Sequence, residues 1–441
     1  MALGGGTFTT QNKVLPGAYI NVVSAARASA TLGERGVVAL PIALTWGEPG
    51  KVSTVTAEEF IKDSMKIFGF AYGAAELQPL REVFKHAQKV HIYNLDADSA
   101  KASVTMTSGQ SPIFVAKKSG ARGNALKAVV QTNIDNETQV DVSVYLDGSV
   151  VFKQDGVAIS ADIKDNDYFT VASGGVTAAD LKSNIGAGKS FSGGTDGTVD
   201  AAAYQNALNA LESYNYNVLI CPDTDNVDLY VEFTKRMRDN VGVKFQTVIP
   251  KVADSDYEGI VQLTEAQAPA LYWVAGALAG CAINKSCTNM KYDGELDITC
   301  SETQTELEQR IVDGIFVFHK VEDETHVLVD INSFVSVTVD KNELFCNNQT
   351  IRVIDERSNT AAATFNKKYL GKVQNDASGR ISFWGDLVAH AREMEKIRAI
   401  ENYNTDELIV NLGNSKGAVE VTDALTIVGT MEKLYMTSVI S

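Results

Sequence analysis

The stretch NVLICPDTDNVDLYVEFTKRMRDNVGVKFQTVI, residues 217–249, decides the architecture. It opens on a strand reading at 217–221, unbroken apolar from Val218 to Cys221, crosses an acidic turn, carries a helical pattern over 226–240, and closes on a second strand-like run over 242–249. A strand that is apolar at successive positions is buried on both faces. Two such strands bridged by a helix are the repeat of a mostly parallel, covered sheet. The alternation extends outward: 201–213 reads as a helix before it, and the uncharged 266–283 as a buried helix after it. That last run holds Gln267, Pro269 and several small residues, which suits an α/β core better than a bilayer.

Further out, 315–318 and 326–330 read as paired strands, 362–370 and 383–400 as helices, and 408–411, 418–421 and 434–440 as β-prone segments. Upstream, 36–40 reads as a strand among helical patterns, and Thr56-Ala57-Glu58-Glu59 is a capping box opening one helix. Around Asp96 the texture turns almost purely β. Val140, Val142, Val144 and Leu146 are apolar with period two, and Asp147-Gly148 then leads into a second strand from Val150, a strong hairpin signal. With 103–107, 112–116, 125–134 and 168–172 as further strands, this region reads as an inserted β-sandwich or small barrel of roughly ninety residues. The fold expected is an α/β core, an inserted β-sandwich or barrel-like domain, and an α+β C-terminal domain. The first 23 residues form a β-prone arm too short for a core of its own, and the last segment has the same character.

The chain has 441 residues, enough for several domains, and 39 basic against 55 acidic residues give a formal net charge of −16. That balance argues against gripping nucleic acid over a wide surface and against polybasic membrane binding. Five cysteines at irregular spacing, with no C-x-x-C, point to reduced thiols rather than a zinc framework. The N-terminal residues show neither a basic stretch nor an apolar one, so no secretory signal is expected and synthesis in the cytoplasm follows.

Gly186-Ala187-Gly188-Lys189-Ser190 has the look of a phosphate loop, but Ser183 stands where its first glycine belongs. A helical pattern precedes it and a glycine-rich loop follows, so a flexible interdomain linker is the better reading. Asp223, Asp225 and Asp228 fail the calcium-loop pattern, since Asp228 and Thr234 occupy the glycine and glutamate positions. An N-capping turn is expected, although carboxylates after a buried strand keep an α/β enzyme with a site at Asp223 to Asp228 as the alternative. His319 and His326 bracket a turn without further metal-ligand spacing. No catalytic residue, cofactor or metal site is expected.

Several stretches, in order along nearly the whole chain, resemble the contractile tail sheath proteins of phages, defective prophages and phage-tail-like bacteriocins of Gram-positive bacteria. They are Leu15-Pro16-Gly17-Ala18-Tyr19-Ile20, the glycine-rich 192–197, Gly314–Phe318 with 329–333, 369–376 with Gly379-Arg380, and Met431-Glu432-Lys433-Leu434-Tyr435-Met436. The resemblance implies a structural subunit of a sheath that surrounds a rigid tail tube and contracts irreversibly to drive it through a cell envelope, without nucleotide hydrolysis. It divides the chain into a linker arm (1–24), an α/β core in two parts (25–96 and 192–345), an inserted β-rich domain (97–191) and a C-terminal domain (346–441). It implies terminal β-arms exchanged between subunits, through Tyr19, Ile20 and Val22 at one end and Leu434, Tyr435, Met436 and Val439 at the other. From residue patterns alone, pairing within the subunit and exchange stand even. The partners implied are further copies of the chain, the tube protein, and baseplate and tail-terminator or collar proteins. Neither nucleic acid nor membrane insertion is expected, and the subunit would be made and assembled in the host cytoplasm. On 383–400, Arg392 and Lys396 lie four apart with Arg398 nearby, a cationic stripe for tube contact, weighed against a solvated face balanced by Glu393 and Glu395.

Overall fold

Strand β1, Val37–Ile42, sends alternate side chains into two different cores. Val38 and Leu40 join one apolar cluster, and Val37 and Ala39 join another. The computed structural model describes residues 32–105, 113–171, 181–182 and 185–440. They fall into a larger unit drawn from 34–355 with 429–440, and a smaller unit of 32–33 with 356–428.

In the larger unit β1 is followed by β2 (Val52–Thr56), α1 (Ala57–Phe68), α2 (Gln78–Phe84) and β3 (Lys89–Asn94). The capping box at the start of α1 is present: the Thr56 hydroxyl accepts the Glu59 N–H, and the Glu59 carboxylate accepts the Thr56 N–H at 2.9 Å. The chain next builds β4 (Ser103–Val104), β5 (Phe114–Ala116), β6 (Leu126–Thr132), β7 (Val140–Leu146), β8 (Ser149–Val157), β9 (Phe169–Val171) and β10 (Lys189–Ser190). It returns through α3 (Ala201–Leu211), β11 (Val218–Ile220), α4 (Val227–Lys235), β12 (Gln246–Ile249), β13 (Ile260–Gln262), α5 (Leu271–Gly280), α6 (Gln304–Val312), β14 (Phe318–Val321) and β15 (Glu324–Val327).

The central sheet has the order β13-β12-β11-β1-β3-β2, parallel throughout except for antiparallel β2 at one edge. One face packs Val38, Leu40, Val218, Ile220 and Val248 against α1, α2 and α5, which contribute Phe60, Leu80, Val83, Trp273 and Leu278. The other packs Leu219, Ile249 and Ile260 against Leu208 of α3 and Tyr230, Val231 and Phe233 of α4. This is the covered sheet read from 217–249. A Cβ at Gly276 of α5 would collide with the Val83 carbonyl, so only glycine lets α5 cross α2 this closely.

Between β3 and α3 stands a sandwich. The sheet β10-β6-β7-β8 faces the sheet β4-β5-β9, and Val130, Val142, Val144 and Leu146 meet Val104, Phe114 and Phe169 between them. Asp147 (φ 50°) and Gly148 (φ 80°) turn the β7–β8 hairpin, both left-handed as a type I′ turn requires. Lys189 and Ser190 pair with Ala128 and Lys127, which corrects the interdomain-linker reading of this stretch: the glycines there bend the chain onto the open edge of β6.

Other expectations shift. The helix expected over 266–283 starts as a 3₁₀ turn through Pro269 and becomes α-helical only from Leu271. Of the strand pair expected over 315–318 and 326–330, Ile315 bridges Gln262 of β13 instead, and the hairpin pairs 318–321 with 324–327. The helix expected at 362–370 begins far earlier. It is α7, Asn348–Thr364, wound on through Tyr369 as a π-helical turn. The smaller unit continues with α8 (Ala377–Lys396), β16 (Ile400–Glu401), β17 (Ile409–Leu412), β18 (Val419–Thr422) and β19 (Thr426–Ile427), with β17 and β18 forming a hairpin. Residues 434–440, expected to be β-prone, form no strand among the described residues.

Candidate functional site

The last segment is seated on a buried polar cluster in the larger unit. Asp330 is fully buried, and burial pushes its carboxyl up. The Arg352 guanidinium, the Cys287 N–H and the Asn348 amide outweigh that and hold it below its ordinary range. Arg352 Nη2 donates to Asp330 at 2.6 Å, and Asn348 Nδ2 donates at 2.9 Å while its Oδ1 accepts Gln246 of β12 at 2.7 Å. One turn on, Asp355 accepts both Arg238 Nη atoms at 2.7 and 2.9 Å. A helix start that is polar in sequence thus becomes a buried, charge-paired joint. Beside it Thr288 Oγ1 accepts the Asp330 N–H at 3.0 Å and donates to Glu432 at 3.1 Å, and Gln349 accepts the Thr430 N–H at 3.1 Å. Past Glu432 these ties end: Leu434, Tyr435, Met436 and Val439 are 85, 88, 77 and 91% exposed.

In the smaller unit, Asp376 caps α8 by accepting the Gly379 N–H at 2.7 Å. The helix buries Phe383, Leu387, His390, Ala391 and Met394, a helical stripe, and turns Arg392 and Lys396 outward. Arg392 pairs with Glu395 at 2.6 Å, which with the Tyr403 N–H lowers the Glu395 carboxyl, and lies 5.8 Å over the Tyr403 ring. Lys396 meets Glu393 at 3.5 Å, and Arg398, left-handed at φ 61°, is exposed beyond the helix end. Within this unit Glu356 accepts the Gly33 N–H at 2.7 Å and meets His390 at 3.3 Å, and Arg357 donates to Asp423 at 2.7 Å.

Four family models match the chain in succession: the tail sheath protein Gp18 domain III N-terminal region over 35–95, the phage tail sheath β-sandwich domain over 96–196, the central domain over 197–333, and the C-terminal domain over 340–441. The phage-like element PBSX protein XkdK of Bacillus subtilis is 30% identical over 98% of this chain and 99% of its own. The chain belongs to the contractile phage tail sheath family. Two solved sheath tail proteins share the fold. That of Desulfitobacterium hafniense is 33% identical, with TM-score 0.78 over 95% of this chain and 99% of its own. That of Listeria innocua is 28% identical, with TM-score 0.76 over 94% and 96%. The sheath subunit is a structural component of a phage tail or tail-like particle.

The residues singled out in the sequence land in separate places on the sheath subunit. Tyr19, Ile20 and Val22 lie outside the described residues, while Leu434, Tyr435, Met436 and Val439 occupy the exposed last segment, Arg392 and Lys396 the C-terminal end of α8, and Arg398 the chain just beyond it. Sequence reasoning missed Thr288, Asn347 and Gln349, which hold Thr430 and Glu432. Their separations in sequence, 81 to 144 residues, leave no local signal. At the acidic turn the capping expectation is corrected. Asp223 accepts the Asp225 N–H at 3.1 Å and the Asn226 side chain, and Asn226 at the helix start makes no side-chain cap. Asp228 still stands in the first turn, where a carboxylate complements the helix dipole. His319 and His326 face each other across the β14–β15 register.

Proposed function

We propose that this sheath subunit stacks with copies of itself around a rigid tail tube and acts by a single contraction that shortens the lattice and drives the tube forward. The observation that carries this reading is the exposed last segment: apolar, β-forming side chains held at its root by Thr288 and Gln349 and unburied beyond it. Such side chains gain burial and main-chain hydrogen bonds by adding to the sheet of another copy. Residues 1–24 and Leu434, Tyr435, Met436 and Val439 are the exchanged arms in this reading, with Tyr19, Ile20 and Val22 on the first. The divisions 25–96, 97–191, 192–345 and 346–441 are the bodies that move. Energy comes from the difference between two packings, a bistable lattice, so the subunit works without nucleotide hydrolysis or catalysis. Arg392, Lys396 and Arg398 face the tube, and baseplate and collar proteins close the two ends of an assembly built in the host cytoplasm.

The test is negative-stain electron microscopy of the purified chain at high concentration, with and without its tube protein. Long hollow tubes of uniform diameter are expected in at least the second sample. Discrete particles in both would refute the reading. Reversing Arg392 and Lys396 to glutamate should shorten tube-templated sheaths, and unchanged sheaths would remove these residues from the tube face.

A further inference from the structure

In the smaller unit a cleft of about 270 Å³ lies where the π-helical turn after α7 meets the start of α8 and the turn of the β17–β18 hairpin. Its walls are aromatic: the Tyr369 and Phe365 rings lie 4.9 and 5.5 Å from that of Phe383, and the Tyr369 hydroxyl is tied to Asp386 at 2.7 Å. Leu370 lines it while remaining 58% exposed. Arg380 and Lys416 line it too, and Lys372 stands beside it. None of these three cations meets a carboxylate among the described residues. Arg380 donates to the carbonyl and side chain of Asn375 at 3.0 and 3.1 Å, and Lys372 to the Lys367 carbonyl at 2.5 Å. The carboxylates close by are already used, Asp376 on the cap of α8 and Asp386 on Lys368. An apolar cleft ringed by uncompensated cations, on a chain of net charge −16, is complementary to an acidic partner.

Helix α6 of the larger unit has the converse character. It buries no residue, and a helix this short is marginal on its own, held here by the capping box of Thr303 and Glu306. Glu308 and Asp313 meet only the side chains of Gln304 and Gln309, at 3.0 and 2.8 Å, and neither pairs with a cation among the described residues. Glu308 and Val312 lie four apart on one face, with Ile311 beside them, and Val312 is 66% exposed.

We propose that the cleft between α7, α8 and the β17–β18 turn receives α6 of a second copy of this chain, a contact that rests on the reading of the chain as a sheath subunit stacked with its own copies. Ile311 and Val312 enter between the aromatic walls, and Glu308 and Asp313 meet Lys372, Arg380 and Lys416 at the rim. A void of about 150 Å³ takes up a benzene ring, so this cleft has room for two branched side chains. The mode is a helix laid into an apolar groove, with apolar burial giving affinity and charge fixing the register. The last segment is the weaker occupant: residues 434–440 are apolar but carry no charge, so they match the walls and not the cations.

Charge exchange tests this. Assembly with tube protein is followed under the microscope for Glu308→Lys with Asp313→Lys, for Lys372→Glu with Lys416→Glu, and for all four substitutions together. The four side chains are exposed, so each variant should keep the thermal midpoint of the parent. Long sheaths should be lost in either pair and return when the pairs are combined. Long sheaths from either pair alone, or none from the combined variant, would overturn the inference while the parent's own sheaths leave the sheath reading standing. A second measurement does not depend on sheaths. Carbodiimide cross-linking of an equal mixture of isotope-labelled and unlabelled full-length chain, with and without tube protein, should join Glu308 or Asp313 of one isotope to Lys372 or Lys416 of the other. Such links in a chain that never forms sheaths would uphold the contact and refute the sheath reading. Links confined to one isotope, or no links at these positions, would overturn the inference.

Discussion

Two stretches of this chain use the same kinds of side chain to opposite ends. Val218, Leu219 and Ile220 in β11 are buried on both faces of the central sheet, while Leu434, Tyr435, Met436, Val439 and Ile440 are nearly as exposed as in a free chain. A buried apolar strand stabilises the subunit it sits in. An exposed one contributes nothing to that subunit's stability and stores its burial for another surface. Between them stands a third kind of element, the start of α7, where Asn348, Arg352 and Asp355 are buried by pairing charges and amides rather than by apolar contact. In the reading proposed above, the difference separates what folds the sheath subunit from what it would offer to its neighbours.

The comparison can be broken at each point. The largest effect is expected from Asp330→Ala, which strands Arg352 in the interior. It should cost about 3–5 kcal/mol in denaturant unfolding, and a loss under 1 kcal/mol would mean the joint is wet and weak. Ile220→Ala in the covered sheet should cost about 2–4 kcal/mol by the same measurement. A smaller effect of opposite sign is expected at Asp96. Burial, with the charge of Asp196 adding to it, raises this carboxyl from 3.8 to about 6. A folded-state value above the unfolded one means the folded protein holds the proton more tightly. Stability therefore falls as pH rises from about 4 to about 6 and levels off above that range. Asp96→Asn should remove the fall and stabilise the protein at pH 7 by about 1–2 kcal/mol. An unaltered pH profile would show that Asp96 is solvated.

What was legible in the sequence follows the same division. The covered sheet and the β7–β8 hairpin were readable because burial on two faces, and a turn needing two left-handed residues, leave local patterns at 217–221 and at Asp147-Gly148. The capping box at Thr56 was readable for the same reason. The first two turns of α7 were not. Asn348, Arg352 and Asp355 look like part of a solvated stretch, and only partners distant in sequence, Gln246, Asp330 and Arg238, make them interior. Strand β10 was hidden by the glycines before it. At the arms, β-forming residues announce a strand without saying whose sheet it joins, and family resemblance rather than periodicity favoured another subunit's.

The most direct test of that claim is to remove residues 431–441 and follow two quantities together, the thermal midpoint of the isolated subunit and its assembly with tube protein under the microscope. The account predicts a midpoint within about 2 °C of the full chain, since nearly everything removed is exposed, and complete loss of long sheaths. A large fall in the midpoint would show that the segment folds its own subunit. Full-length sheaths from the shortened chain would show that neighbours do not need it, and either result would contradict the account.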